Sequence, residues 1–312
     1  MAFVTIENLI EDLQLEVIHR SEETEINIEE SDINRPGLQL AGFYEYFAYE
    51  RVQVIGKVEW TYFDSLDAQV RKPRTEKLFS HALPCVIVAR GLDVHKECLE
   101  AAKKFNRPLL RTDVSTTQLI SQLNNYLNDK LAPVITRHGV LVDVYGIGIL
   151  ISGESGIGKS ETALELIKRG HRLVADDAVE IKKKDKNRLE GSAPEVIRHF
   201  MELRGIGILD IKHLYGVGAV RNKKTIELVI EMENWKPEKH YDRLGMDEEF
   251  MEILDVNIYK ITIPIKPGRN LAMIIEAAAK NHRQKRMGYN AAEKLNERLL
   301  KYTSKQTKNK GI

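Results

Sequence analysis

The run Gly153-Glu154-Ser155-Gly156-Ile157-Gly158-Lys159-Ser160 satisfies G-x-x-x-x-G-K-[ST] at every specified position. Its glycines let successive backbone N–H groups turn toward one point, and the N-terminus of a following helix adds partial positive charge. A pyrophosphate or triphosphate fits such a cradle. Lys159 would reach the β and γ phosphates, and the Ser160 hydroxyl would ligate Mg²⁺. A second signal is His171-Arg172-Leu173-Val174-Ala175-Asp176-Asp177, whose last residue stands 18 positions beyond Lys159. A carboxylate there can hold Mg²⁺ through water or take a proton from a hydroxyl nucleophile. Neighbouring strand residues point oppositely, so only one of the pair is expected to face the phosphates.

Other candidates stay open on spacing alone. Glu202, in the glycine-punctuated stretch 200–210, reads as a surface helix end before a buried strand or as a site residue. Arg243, in Tyr241-Asp242-Arg243-Leu244-Gly245, is an exposed loop ion pair or a clamp on transferred charge. His138 ends a short strand, and Pro264-Ile265-Lys266-Pro267-Gly268-Arg269 is a turn or an anion-binding nest. The nine histidines include no i, i+4 pair, so no zinc site is suggested.

Positioning these groups requires a strand, a helix and a second strand. The apolar run 147–151 precedes the glycine loop, and 160–169 follows with Ala163, Leu164, Leu166 and Ile167 on one side and Gly170 at its end. A right-handed crossover would make the two strands parallel and bring Asp176 and Asp177 to the edge that carries the loop. Further strands are expected at 134–136, 140–144, 179–184 and 225–231. A helix over 271–280 leads into a basic terminal segment broken at Gly288.

Strands at 52–55, 85–89 and 108–111 alternate with helices over 96–105 and 115–131, the second stopped by Pro133. The fold class is therefore α/β: a small N-terminal α/β domain over 1–130, structural or regulatory, and a catalytic phosphate-loop domain over 131–312. Residues 1–130 hold no phosphate loop, clustered histidines or metal-ligand spacing.

The 312 residues carry 47 Lys and Arg against 46 Asp and Glu, a formal charge of +1, which argues against a nucleic-acid coat. No run of about 18 apolar residues marks a membrane span, and no basic stretch followed by an apolar one suggests a secretory leader. Cys85 and Cys98 form neither a disulfide framework nor a CxxC pair. A reduced, intracellular protein is expected. The charge is uneven: residues 280–310 carry ten Lys or Arg against Glu293 and Glu297. That end is a solvated tail or a surface for an acidic partner.

Taken together these segments resemble the bacterial HPr kinase/phosphorylase family. The likeness rests on His138-Gly-Val-Leu-Val-Asp-Val-Tyr-Gly, the phosphate loop continued through Lys-Ser-Glu-Thr-Ala-Leu-Glu-Leu-Ile, and Gly170 through Asp177. It extends to Glu202 through Asp210, Glu233-Asn-Trp, Asp242-Arg-Leu-Gly, residues 256–270, and Asn34-Arg-Pro-Gly in the first half. The resemblance implies a bifunctional serine kinase acting on HPr, the phosphocarrier of the sugar phosphotransferase system. Such an enzyme uses ATP or pyrophosphate with Mg²⁺ in one direction and inorganic phosphate in the other, releasing pyrophosphate. Its role is in carbon catabolite repression.

The likeness also implies that Asp177 is the acid–base residue with His138 beside it, that Lys159 binds the transferred phosphate, and that Arg243 is the catalytic arginine. Ser160 and Glu202 would be metal ligands. Met201, Glu202, Leu203, Arg204, Gly205, Ile206, Gly207, Ile208, Leu209 and Asp210 correspond to the family signature for both reactions, and 264–269 to the loop tied to dephosphorylation. A cytoplasmic homohexamer, with a catalytic domain resembling phosphoenolpyruvate carboxykinase, is implied as well. From other classes, a small-molecule phosphate-loop kinase or a nucleotide-sensing regulator would share the loop and Asp177.

Overall fold

Pro133 cannot extend the helix Thr116–Leu131, because its ring fixes φ and removes a backbone donor. The chain divides there into two units, Met1–Ala132 and Pro133–Ile312. The computed structural model describes residues 3–23, 26–239, 241 and 248–309.

In the first unit a five-stranded sheet has the order Glu16–His19, Leu109–Arg111, Val86–Val88, Val52–Ile55, Ile33–Asn34. All pairings but the first are parallel. The central strands Val52–Ile55 and Val86–Val88 are buried along their whole length, as a parallel sheet covered on both faces requires. The helix Lys96–Lys104 turns Cys98, Ala101 and Ala102 inward. Leu119, Leu123 and Leu127 do the same for Thr116–Leu131, whose N-cap Ser115 accepts from the Gln118 amide. Burial pushes both thiols up, Cys98 to about 12, so neither is a nucleophile at neutral pH.

The second unit is labelled from its own start. β1 (Val134–His138), β2 (Val140–Val144) and β3 (Ile147–Gly153) lead to α1 (Lys159–Lys168) and β4 (Arg172–Ala175). β5 (Ala178–Asp185) and β6 (Arg188–Ser192) form a hairpin; β7 (Phe200–Leu203) and β8 (Gly207–Asp210) form another, followed by the short α2 (Ile211–Tyr215). Then come β9 (Lys223–Thr225), β10 (Leu228–Asn234), β11 (Glu249–Ile253), β12 (Val256–Ile265), α3 (Leu271–Arg286) and α4 (Ala291–Asn309).

One sheet has the order β4-β2-β3-β10-β12-β11 and a second β9-β6-β5-β1. Strand periodicity sorts the first sheet's side chains into two cores. Val142, Ile149, Ile151 and Ile230 pack with Ala163 and Leu166 of α1 and Ile275 of α3. Leu141, Leu150 and Val229 face the other way, onto Val179, Ile181 and Leu189 of the second sheet. Helices, sheet and sheet make three layers.

Three details differ from the sequence reading. First, β4 runs parallel to β3 but does not pair with it, because β2 lies between them, antiparallel to both. Second, the expected strand 225–231 is two strands: the Ile226 amide still donates to Leu189 of the second sheet, while the Glu227 amide donates to Gly148 of the first. The chain changes sheets at that bond. Third, the basic end of α3 is bound into the fold. Arg286 pairs with Glu227, and the Lys285 ammonium lies 5.2 Å from the Tyr259 ring centroid. These two cations therefore have intramolecular partners. Among the described residues no helix is long and apolar enough to cross a membrane.

Candidate active site

β3 runs buried through the sheet and ends in the glycine loop, which only an unusual backbone can close. Gly153 has φ 144°, and a Cβ there would meet the Met232 carbonyl oxygen of β10 at 2.4 Å. The loop therefore lies flush against β10, and only glycine permits it. Gly158, at φ 96°, turns the chain into α1. Lys159 opens that helix and is buried; its ammonium donates to the carbonyls of Gly153 and Glu154, both at 2.9 Å. Burial lowers the ammonium's pKa, while the charges of Asp177 and Asp176 oppose that shift.

Across the cleft, β4 ends at Ala175 and the chain reverses at once. Asp177 adopts φ 67°, a left-handed conformation that Asp tolerates better than most residues, and the Ala178 amide donates to the Asp176 carbonyl. The turn, rather than strand alternation, therefore places the two carboxylates. Strand alternation ends before the pair, and both aspartates line the same cleft with different surroundings. Asp176 is buried; its Oδ1 accepts from the Ser160 hydroxyl at 2.8 Å and its Oδ2 from the Glu202 amide at 3.1 Å. The Asp177 side chain is 65% exposed, and its Oδ1 lies 2.9 Å from His138 Nδ1. The register that pairs His138 of β1 with Ala178 of β5 sets that contact.

The cleft of about 130 Å³ is lined by His138, Lys159, Ser160, Asp176, Asp177 and Glu202, together with Ser155, Gly156, Gly158 and Arg204. Glu202 belongs to the β7–β8 hairpin, not to a helix end. Arg204 at the hairpin tip donates to Ser155 Oγ at 3.1 Å and so braces the loop. Its contact with the loop, and Asp176's grip on Ser160, are details that motif spacing did not indicate. The repeated Asp-Asp was the only signal for the second.

Residues 264–269 lie elsewhere on the same sheet edge. Gly153 pairs with Met232 and Met232 with Ile263, so this segment leaves the edge two strands from the glycine loop. It borders a separate depression of about 800 Å³ with Trp235 and Tyr241, where Arg269 donates to the Pro264 carbonyl and the Lys266 ammonium sits 3.4 Å from the Trp235 ring centroid. Arg243 and its neighbours 242–247 lie outside the described residues.

Burial raises the Asp176 pKa, the Ser160 and Glu202 hydrogen bonds opposing it. A carboxyl that holds its proton more tightly when folded loses stability as pH rises from the unfolded to the folded pKa, and the loss persists above both. Asp176→Asn, which can still bond both neighbours, is therefore expected to raise the melting midpoint of the nucleotide-free chain at pH 7 by about 2–4 °C. Calorimetry should show the gain shrinking toward about pH 4. An equal gain at both pH values would assign it to packing.

Two family models cover the chain almost end to end: HPr Serine kinase N terminus matches residues 4–127, and HPr Serine kinase C-terminal domain matches 129–299. The chain belongs to the HPr serine kinase family. The HPr kinase/phosphorylase of Caldanaerobacter subterraneus subsp. tengcongensis is 62% identical over 301 residues, 96% of this chain and 99% of that one. That of Thermoanaerobacter sp. strain X514 is 60% identical over 298 residues, 96% and 98% of the two chains. A solved HPr(Ser) kinase/phosphatase from Coxiella burnetii aligns at 38% identity and TM-score 0.45, covering 49% of this chain and 99% of that one. As a member of the HPr serine kinase family the chain is a phosphotransferase enzyme that uses a nucleotide phosphoryl donor. Its phosphate loop is the part of the fold suited to holding that donor.

Proposed function

We propose that this chain phosphorylates a serine of HPr from ATP or pyrophosphate and, in the reverse sense, removes that phosphate with inorganic phosphate, releasing pyrophosphate. One observation carries the reading. A phosphate loop and a carboxylate bonded to a histidine face each other across one cleft whose third wall is the hairpin of Glu202. Phosphoryl transfer asks chiefly for position and charge neutralisation, so the same walls serve both directions.

In the forward direction Lys159 exchanges its two carbonyl partners for phosphate oxygens. The serine hydroxyl gives its proton to Asp177 as its oxygen bonds to the terminal phosphorus and the bridging oxygen of the donor leaves. In reverse, an oxygen of inorganic phosphate bonds to the phosphoserine phosphorus, the serine oxygen leaves, and Asp177 returns the proton to it. His138 orients the carboxylate through its Nδ1 contact. Arg243 and the segment 264–269 keep the roles that the resemblance gives them, transition-state charge and dephosphorylation.

Mg²⁺ suits the oxygen donors of this cleft. Among the described residues the buried Asp176 carboxylate has no cationic hydrogen-bond partner; it faces the Ser160 hydroxyl, and Glu202 borders the same space. Mg²⁺ takes one or two protein oxygens, with phosphates and waters completing its shell. Bound there, it would neutralise charge on the phosphates. The family likeness extends the reading to a cytoplasmic homohexamer.

Incubation with labelled ATP, Mg²⁺ and HPr should transfer label to protein, chelation by EDTA should abolish it, and added phosphate should release labelled pyrophosphate. A small-molecule kinase would leave HPr unlabelled, and a nucleotide sensor would transfer label to nothing.

A further inference from the structure

The residues that line the phosphate cleft all belong to the second unit, yet the family likeness extends to Asn34-Arg35-Pro36-Gly37 of the first. In the first unit's sheet the strands Ile33–Asn34, Val52–Ile55, Val86–Val88 and Leu109–Arg111 run parallel, so their carboxyl ends share one edge. Open parallel sheets take their ligands outside that edge. Here it carries Arg35, then Gly56 and Lys57, then Arg90, each just past the end of one of three adjacent strands.

The edge is built to hold its shape. The Asn34 side chain donates to Gln53 at 2.7 Å and ties the first strand end to the second. The Glu59 carboxylate, on the helix Lys57–Asp64, accepts from the Gly56 amide at 3.1 Å and from Arg35 at 2.8 Å. A Cβ on Gly56 would meet the Thr116 hydroxyl at 2.7 Å, so only glycine lets the second strand end there. Arg90 Nε donates to the same hydroxyl at 3.4 Å. One run of contacts therefore joins Arg35 to Arg90 through Glu59, Gly56 and Thr116.

Arg90 is the unusual member. Its backbone is left-handed at φ 67°, held by its own amide on the Val114 carbonyl at 2.9 Å and by the Gly91 amide on Thr112 at 2.8 Å. That conformation is strained for a long side chain, and such strain collects at ligand sites. Every other arginine of this unit bonds a carboxylate or a carbonyl oxygen. Among the described residues Arg90 bonds neither, and its two terminal nitrogens have no partner. Asp113 stands beside Gly91, toward Arg111. With strands about 4.8 Å apart, the Arg35 and Arg90 backbones stand about 10 Å apart, and both side chains are exposed. Two guanidiniums at that spacing can close on one anion.

We propose that this edge binds a phosphomonoester dianion, its phosphoryl oxygens shared between the Arg35 and Arg90 guanidiniums with Lys57 beside them. A planar guanidinium takes two oxygens of such an anion at once, and a pair of guanidiniums needs more oxygens than one carboxylate has. The edge is open to solvent, so the ester oxygen carries the rest of a small molecule outward. The site lies wholly within the first unit and does not depend on the phosphoryl transfer proposed above.

The test is hydrogen exchange read by mass spectrometry on the full chain, with methyl phosphate as the probe and acetate at matched ionic strength as the control. Exchange in segments 53–59 and 88–92 is expected to slow about sixfold, as a site of about 10 mM affinity gives at about 50 mM ligand, and acetate to leave it unchanged. Arg90→Gln should abolish the slowing there and leave any response of the glycine loop 153–160 in place. Arg35→Lys, which keeps a cation on Glu59 but not the planar fork, should at least halve it. Exchange across 119–127 without ligand checks that both variants are folded. No slowing in the wild type overturns the site, as does slowing that survives either substitution in full. Equal slowing by acetate would make the effect one of charge alone and overturns the phosphoryl assignment.

Discussion

Asp177→Asn is expected to slow phosphorylation and phosphorolysis alike, each by about 10³-fold, within the range that a positioned general acid–base group supplies. The substitution isolates basicity. Asparagine keeps the size, tolerates the left-handed backbone that Asp177 adopts at φ 67°, and still offers an oxygen to His138 Nδ1. The side chain is 65% exposed, so the fold loses little. Nucleotide affinity should stay within a few-fold of wild type, because the loop and Lys159 are intact. Steady-state rates in both directions and a nucleotide titration decide the matter. One direction left near wild type would place the proton elsewhere in that direction. A parallel loss of nucleotide affinity would make Asp177 a binding residue.

Lys159→Ala is expected to weaken nucleotide binding by about 10²-fold or more, since charge-assisted hydrogen bonds contribute about 1.5–3 kcal/mol each. The geometry sharpens this expectation. The ammonium fits between the carbonyls of Gly153 and Glu154 at 2.9 Å from each, so it is already placed where the loop converges. Lys159→Arg should not restore binding, because a planar fork cannot take the place of a compact ammonium in that slot. Calorimetric titration with nucleotide provides the measurement. Wild-type affinity in the alanine variant would end the assignment of Lys159 to the phosphates.

The loop was readable from sequence because its constraint is local. Gly153 and Gly158 need backbone that other residues rarely adopt, and Lys159 and Ser160 follow at fixed offsets, so the pattern and the geometry are nearly the same statement. The strands and helices that flank it were readable for a similar reason, their apolar spacing matching the faces they bury. What was not readable depends on pairings between distant segments. The insertion of β2 between β3 and β4 is a matter of topology that spacing does not encode.

Asp176 and Asp177 lie past the end of β4 at Ala175, so their turn, which alternation along a strand does not describe, sets where each carboxylate lies. Asp176 reaches Ser160 across 16 residues of sequence, and His138 reaches Asp177 only through the register of two strands in another sheet. The resemblance named His138 and Glu202; spacing alone left both open. The partners of Lys285 and Arg286 were likewise invisible, because Tyr259 and Glu227 belong to strands elsewhere in the chain.

The intervening β2 has one more consequence. Paired strands lie about 4.8 Å apart, so the strand bearing the carboxylates stands about 10 Å from the strand bearing the glycine loop. Direct neighbours would leave half that breadth, enough for little more than an ion and its waters. Twice the spacing suits the proposed reaction, in which an ammonium, a phosphoryl group, the acceptor oxygen and a carboxylate would lie end to end with contacts of about 2.8 Å closing either end. A single intervening strand thus sets how far apart the two walls of the cleft stand, and because Gly139 alone joins it to His138, it ties that histidine to the same spacing.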